Sequence, residues 1–134
     1  MEKKIVEVRT LKVGKYILID GVPCKIQSMT HSKPGKHGGA RVRIDAMGIF
    51  EDTKKSMIKP ASDKAEVPMM DKRTAQVLAV VGDKLQMMDM ESYETFEMPM
   101  PDDAEIKSFI KEGAEVMYLQ WSDKKKITQA KGGD

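Results

Sequence analysis

Cysteine is nearly absent from this 134-residue sequence, with Cys24 its only example. No internal disulfide can therefore form, and a reducing compartment is expected. No run of about 18 apolar residues occurs, which excludes a membrane-spanning helix. Met1-Glu2-Lys3-Lys4-Ile5-Val6-Glu7 turns polar before any signal-peptide core could develop, so a cytoplasmic location with no membrane partner is expected. Aromatic residues make up 5% and the hydrophobic set 40%. That apolar share is modest but sufficient for packed cores, which argues against wholesale disorder. One further absence is local: no Asp or Glu lies between Asp20 and Asp45.

That acid-free stretch contains Lys25, Lys33, Lys36, Arg41 and Arg43, together with both histidines, His31 and His37. The overall charge of +2 conceals an imbalance. Residues 1–69 carry 14 Lys and Arg against 8 Asp and Glu, whereas residues 70–134 carry 9 against 13. A positive field concentrated in this way suits a polyanion, most simply nucleic acid, although a solvated surface explains the charge equally well.

Turn signals are dense. Tyr16–Asp20 and Gly21–Ile26 read as two strands joined by an Asp-Gly turn, a dipeptide that supplies the positive φ angles of a tight hairpin. Ala40–Ala46 alternates small or apolar residues with charged ones, the pattern of a half-buried strand. Between them, residues 31–39 read as a long hairpin loop, and short strands are expected at about 54–59 and 64–67. After Pro68, Thr74–Val81 and Leu85–Met90 form a hairpin about Gly82-Asp83, and Thr95–Met98 a third strand. A helix follows, with Asp102 as its cap, Glu105 completing a capping box, Ile106, Phe109 and Ile110 as its apolar face, Lys111 in its last turn and Gly113 as its stop. Val116–Trp121 and Lys125–Thr128 close the series. The expected architecture is all-β: two small barrels, residues 1–69 and 70–134, joined near Val67–Asp71. In the second, a helix between the third and fourth of five strands is the order of an OB-fold.

Most chemistries find no support. Gly35-Lys36 lacks the Ser or Thr, the upstream glycine and the following helix of a phosphate-binding loop. Cys24, His31 and His37 lack the close pairs of a zinc site, so no metal is expected. Cys24 sits on an apolar-alternating strand, where a packed, inert thiol is the rule. No acidic pair is spaced for acid–base work, so no catalytic residue is assigned and an enzyme is not expected. The methionines at 87, 88, 90, 98 and 100 read as flexible core filling, Tyr118 and Trp121 as core, and Lys124–Lys126 as a solvated turn. The loop differs from all of these. Ser32-Lys33-Pro34-Gly35-Lys36-His37-Gly38-Gly39-Ala40 has no side chain fit for a core. Its glycines allow sharp turning while Pro34 limits its entropy, so it presents Lys36 as an exposed cationic tip.

Ser32-Lys33-Pro34-Gly35-Lys36-His37-Gly38 resembles the hypusination loop of the translation initiation factor 5A family, in its archaeal form. Leu11-Lys12-Val13-Gly14, Ile19-Asp20-Gly21-Val22-Pro23-Cys24, Ile49-Phe50, Lys72-Arg73-Thr74-Ala75-Gln76-Val77 and Asp89–Phe96 extend the likeness along nearly the whole chain. Pro34 stands where eukaryotic members usually carry Thr, Gly39 where they often carry His, and Arg41 where Lys is common. The resemblance implies an N-terminal SH3-like barrel followed by a C-terminal OB-fold barrel with one short helix. It also implies a non-enzymatic factor that binds the ribosome and its rRNA beside peptidyl-tRNA and aids peptide-bond formation at stalling sequences such as consecutive prolines. Lys36 would be converted to deoxyhypusine by deoxyhypusine synthase, using spermidine, and then often hydroxylated to hypusine, with no cofactor bound to the factor. Around it, Lys33, Arg41 and Arg43 would meet phosphates, Gly35 and Gly38 would permit the turn, and His31 and His37 would hydrogen-bond the backbone or RNA. A general single-stranded RNA-binding OB-fold protein is the alternative.

Overall fold

The computed structural model describes residues 2–33 and 39–131. The chain divides into two compact units between Met69 and Met70, each with its own antiparallel sheet. The first is an SH3-like barrel and the second an OB-fold barrel.

The first unit has six strands: β1 (Lys3–Glu7), β2 (Tyr16–Ile19), β3 (Val22–Ser32), β4 (Arg41–Gly48), β5 (Lys54–Pro60) and β6 (Lys64–Pro68), in the spatial order β1-β6-β2-β3-β4-β5. At the β2–β3 turn Ile19 pairs with Val22, while Asp20 and Gly21 have φ of 53° and 77°, the two left-handed residues expected of an Asp-Gly hairpin. β4 alternates as its sequence requires. Val42, Ile44 and Ala46 enter the core with Val8, Ile17, Cys24 and Ile26, leaving Arg41 and Arg43 exposed. Two features depart from expectation, the second of them at the site. β1, too short and too charged to announce itself, is made a strand by its pairing with β6, from Lys3↔Pro68 to Glu7↔Lys64. β3 runs on through His31 and Ser32, which pair with Val42 and Arg41, so the loop opens at Lys33 rather than at position 31. No glycine or proline interrupts the sequence between Pro23 and Pro34, and the ladder continues while backbone donors and a partner strand last.

In the second unit β7 (Asp71–Val81), β8 (Lys84–Asp89), β9 (Thr95–Pro99), α1 (Ala104–Phe109), β10 (Glu115–Trp121) and β11 (Lys124–Ala130) follow in that order. The sheet order is β11-β10-β7-β8-β9. Ala75, Val77, Leu85, Met87, Val116, Tyr118 and Ile127 make the core, with Met98, Met100, Ile106, Phe109 and Ile110 packed against it. The helix cap is Asp103, not Asp102: its carboxylate accepts from the backbone N–H groups of Glu105 and Ile106. Glu105 then lies one residue too early for the capping box. The helix also ends earlier than expected, at a cap on Ile110, and Gly113 (φ 89°) instead turns the chain so that its N–H donates to the carbonyl of Val77. Lys124–Lys126 are strand rather than turn, because Ser122 (φ 58°) and Asp123 complete the β10–β11 hairpin.

Candidate functional site

The exposed face of the β3–β4–β5 sheet carries Arg41 and Arg43, two cations of the acid-free stretch. Before Gln27, the even-numbered Cys24 and Ile26 point into the core. At Gln27 the β3–β4 register slips by one residue. This bulge reverses the facing of the rest of β3, so that Ser28, Thr30 and Ser32 lie outward, directly across from Asp45, Arg43 and Arg41. On the other side of β4, Ser56, Ile58 and Pro60 of β5 pair with the same three residues.

The structure thus gathers Ser32, Arg41 and Arg43 on one face, with exposed Lys33 just past the end of β3. His31 pairs with Val42 and belongs to the opposite face. The remaining loop assignments, Pro34, Gly35, Lys36, His37 and Gly38, lie outside the described residues. The stretch that contains them is carried between the paired Ser32 and Arg41, and at its base the N–H of Ala61 donates to the carbonyl of Ala40.

Arg43 has a counter-ion that the sequence reading passed over. Its Nε and Nη2 each lie 3.3 Å from one oxygen of Asp45. The same carboxylate accepts the hydroxyl of Ser56 at 2.6 Å and that of Ser28 at 3.2 Å. Hydrogen bonds from Ser56 and then Arg43 hold the Asp45 carboxyl below the usual carboxylate range. A signal for this pair was present: two residues apart on an alternating strand, Arg43 and Asp45 must share a face. Arg41 and Lys33 make no ion pair among the described residues.

A second polar cluster lies in the other unit. Arg73 grips Asp89 through two hydrogen bonds of 2.6 and 3.1 Å, and the hydroxyl of Tyr118 donates to Asp89 at 2.6 Å. The backbone N–H groups of Glu91 and Ser92 donate to the same carboxylate at 2.8 Å. Arg73 in turn holds the Asp89 carboxyl far below its ordinary range, while burial and the Asp89 carboxylate raise the Tyr118 hydroxyl. Beside this cluster is an open hollow of about 420 Å³, lined in part by Phe96, Gln120 and Lys125. The Lys125 ammonium sits 4.9 Å from the centre of the Phe96 ring. Only the fold brings Arg73 and Asp89 together, from two strands of the sheet. Cys24 is buried, and burial raises its thiol, in keeping with an inert packed side chain.

Residues 3–63 match the family model described as translation initiation factor 5A-like, N-terminal. Residues 70–127 match the elongation factor P (EF-P) OB domain. Translation initiation factor 5A of Methanothermobacter thermautotrophicus is 50% identical over 132 residues, spanning 98% of this chain and 100% of that relative. The chain belongs to the translation initiation factor 5A family. It is a translation factor. Among other members, the Methanococcus maripaludis C6 protein is 56% identical over 119 residues, covering 89% of this chain and 88% of its own. A solved structure titled eukaryotic translation initiation factor 5A from Methanococcus jannaschii superposes with a TM-score of 0.87 at 48% identity, over 96% of this chain and 94% of that one. A family protein from Naegleria fowleri retains the fold at a TM-score of 0.74 and 26% identity, over 96% of this chain and 98% of its own.

Proposed function

We propose that this translation factor acts at the ribosome, beside peptidyl-tRNA, and promotes peptide-bond formation where synthesis stalls, as at consecutive prolines. The carrying observation is the loop sequence Ser32–Gly38, spanned by a hairpin whose outer face holds Arg41 and Arg43. Deoxyhypusine synthase transfers a four-carbon amine from spermidine to Lys36, breaking its C–N bond to the three-carbon diamine, which leaves as 1,3-diaminopropane, and giving deoxyhypusine or, after hydroxylation, hypusine. The graft adds about five bonds of roughly 1.5 Å each, nearly doubling the reach of the lysine stem. It also adds a second positive charge to a side chain thin enough to enter a crevice of RNA. Lys33, Arg41 and Arg43 meet phosphates around it and set the depth of insertion.

The contribution to chemistry is positional. Ordering the acceptor end of the tRNA brings the reactants near attack geometry, while the ribosome's RNA performs the reaction. The factor is thus not an enzyme, binds no cofactor and works in the cytoplasm. No helix among the described residues is long and apolar enough to cross a membrane. The alternative, general binding of single-stranded RNA by the OB barrel, gains nothing from Tyr118 and Trp121, which are 2% and 5% exposed and so closed to base stacking.

The mass of the Lys36 peptide from the native host tests the reading. A peptide heavier by the transferred amine is expected, and an unmodified lysine in active material removes the mechanism. Lys36→Arg should keep the fold and the charge of the loop while abolishing both modification and relief of stalled synthesis.

A further inference from the structure

We propose that Asp45 is a positioning residue for Arg43, a carboxylate clamped from both neighbouring strands that aims the guanidinium at an RNA phosphate. The inference rests on the reading of Arg43 as a phosphate contact. A carboxylate in the middle of a polyanion-binding face is a puzzle, because by charge alone it should repel the partner. Its hydrogen bonds resolve the puzzle. Oδ1 accepts from Ser56 and from Nη2 of Arg43, and Oδ2 from Ser28 and from Nε of Arg43. The four acceptor positions of the carboxylate are thereby filled, and its charge is matched by that of Arg43.

The clamp is cross-strand by construction. Ser28 and Ser56 are the residues paired with Asp45 on β3 and β5, so one carboxylate is fixed by three strands. Arg43, one outward position nearer the loop, has its plane set by the two-point contact. The Nη1 edge is left unused by that contact, and the Arg43 side chain is 55% exposed, so the edge is open to a ligand. Arg41 follows at the next outward position, about 7 Å along the strand. A flexible arginine would lose rotamer freedom on meeting its phosphate; one already held by Asp45 has lost much of it beforehand.

The two roles open to Asp45 predict opposite signs. As a mere negative charge it weakens binding, so Asp45→Asn should tighten it. As a positioning residue it strengthens binding, so the same change should weaken it, by about three- to fivefold, the scale of an exposed two-point ion pair. The measurement is the affinity of the full-length, Lys36-modified protein for archaeal ribosomes in about 0.1 M monovalent salt, with thermal melts showing that each variant is folded. Ser56→Ala, which alters no charge, should weaken binding in the same direction. In an Arg43→Ala background, Asp45→Asn should cause no further loss. Tighter or unchanged binding by Asp45→Asn, while Arg43→Ala alone weakens it, overturns the positioning role and leaves the phosphate contact standing. An Arg43→Ala variant that binds as well as the parent overturns the contact itself.

Discussion

Five hydrogen bonds converge on the Asp89 carboxylate, which is 2% exposed. A charge taken so far from water is tolerated only when fully paired, and removing it leaves Arg73 with only its looser ion pairs to Asp71 and Glu91, at 3.5 and 3.7 Å, and weakens the acceptor of the Tyr118 hydroxyl. Asp89→Asn should therefore cost about 3 kcal/mol of stability. Urea unfolding followed through Trp121, the only tryptophan and a member of this unit, would measure it. The sign of the pH dependence follows from the lowered carboxyl. Stability supplied by Asp89 is present above the ordinary carboxylate value of about 3.9 and is lost as pH falls below it toward the lower folded-state value. Between about pH 5 and pH 2 the parent should lose more stability than Asp89→Asn does, as read by melting temperature. Nothing at the level of single residues foretold this network. Arg73 and Asp89 stood in the sequence as two ordinary charges, and their pairing exists only because β7, β8 and β10 lie side by side.

At the scale of elements, the local code was legible wherever backbone geometry alone decides. The Asp20-Gly21 turn and the alternation of β4 followed from φ preference and the two-residue repeat of a strand. The helix was located correctly but its cap was expected one residue too early, because Asp102 and Asp103 are chemically equal candidates. Asp103→Ala should thus destabilise the OB unit by about 1 kcal/mol and Asp102→Ala by much less, measured by the same unfolding curve. A tighter constraint sits at the end of β4. A Cβ on Gly48 would lie 2.4 Å from the carbonyl oxygen of Glu51, a backbone atom in the turn whose Thr53 carbonyl accepts from the Gly48 N–H at 2.7 Å. Gly48→Ala should cost about 1–3 kcal/mol and lower the melting temperature of the first unit. Composition alone does not single out this glycine among the ten of the chain.

For the whole molecule, the uneven division of charge between the units becomes a prediction about salt. On the proposal that Arg41 meets an RNA phosphate of the ribosome, Arg41→Ala should weaken ribosome binding and lower the slope of log affinity against log salt by about 1. Lys126→Glu, on the exposed side of β11 in the acidic unit, should leave that slope unchanged. Equal changes in the two variants would spread the interface over both units and count against a reading centred on the loop.

Composition, turn chemistry and the loop motif were enough by themselves for the all-β architecture, the OB order of the second half and the family. These rest on backbone preferences and on residue identities, which are properties of the chain before it folds. Which side chains meet was decided later. The slip at Gln27 turned Ser28 and Thr30 outward against a simple alternating reading, pairing with β6 made a strand of Lys3–Glu7, and the assembled sheets set Asp45 against Arg43 and Asp89 against Arg73. Such contacts depend on the register between distant segments, and register is an energy balance of the whole sheet.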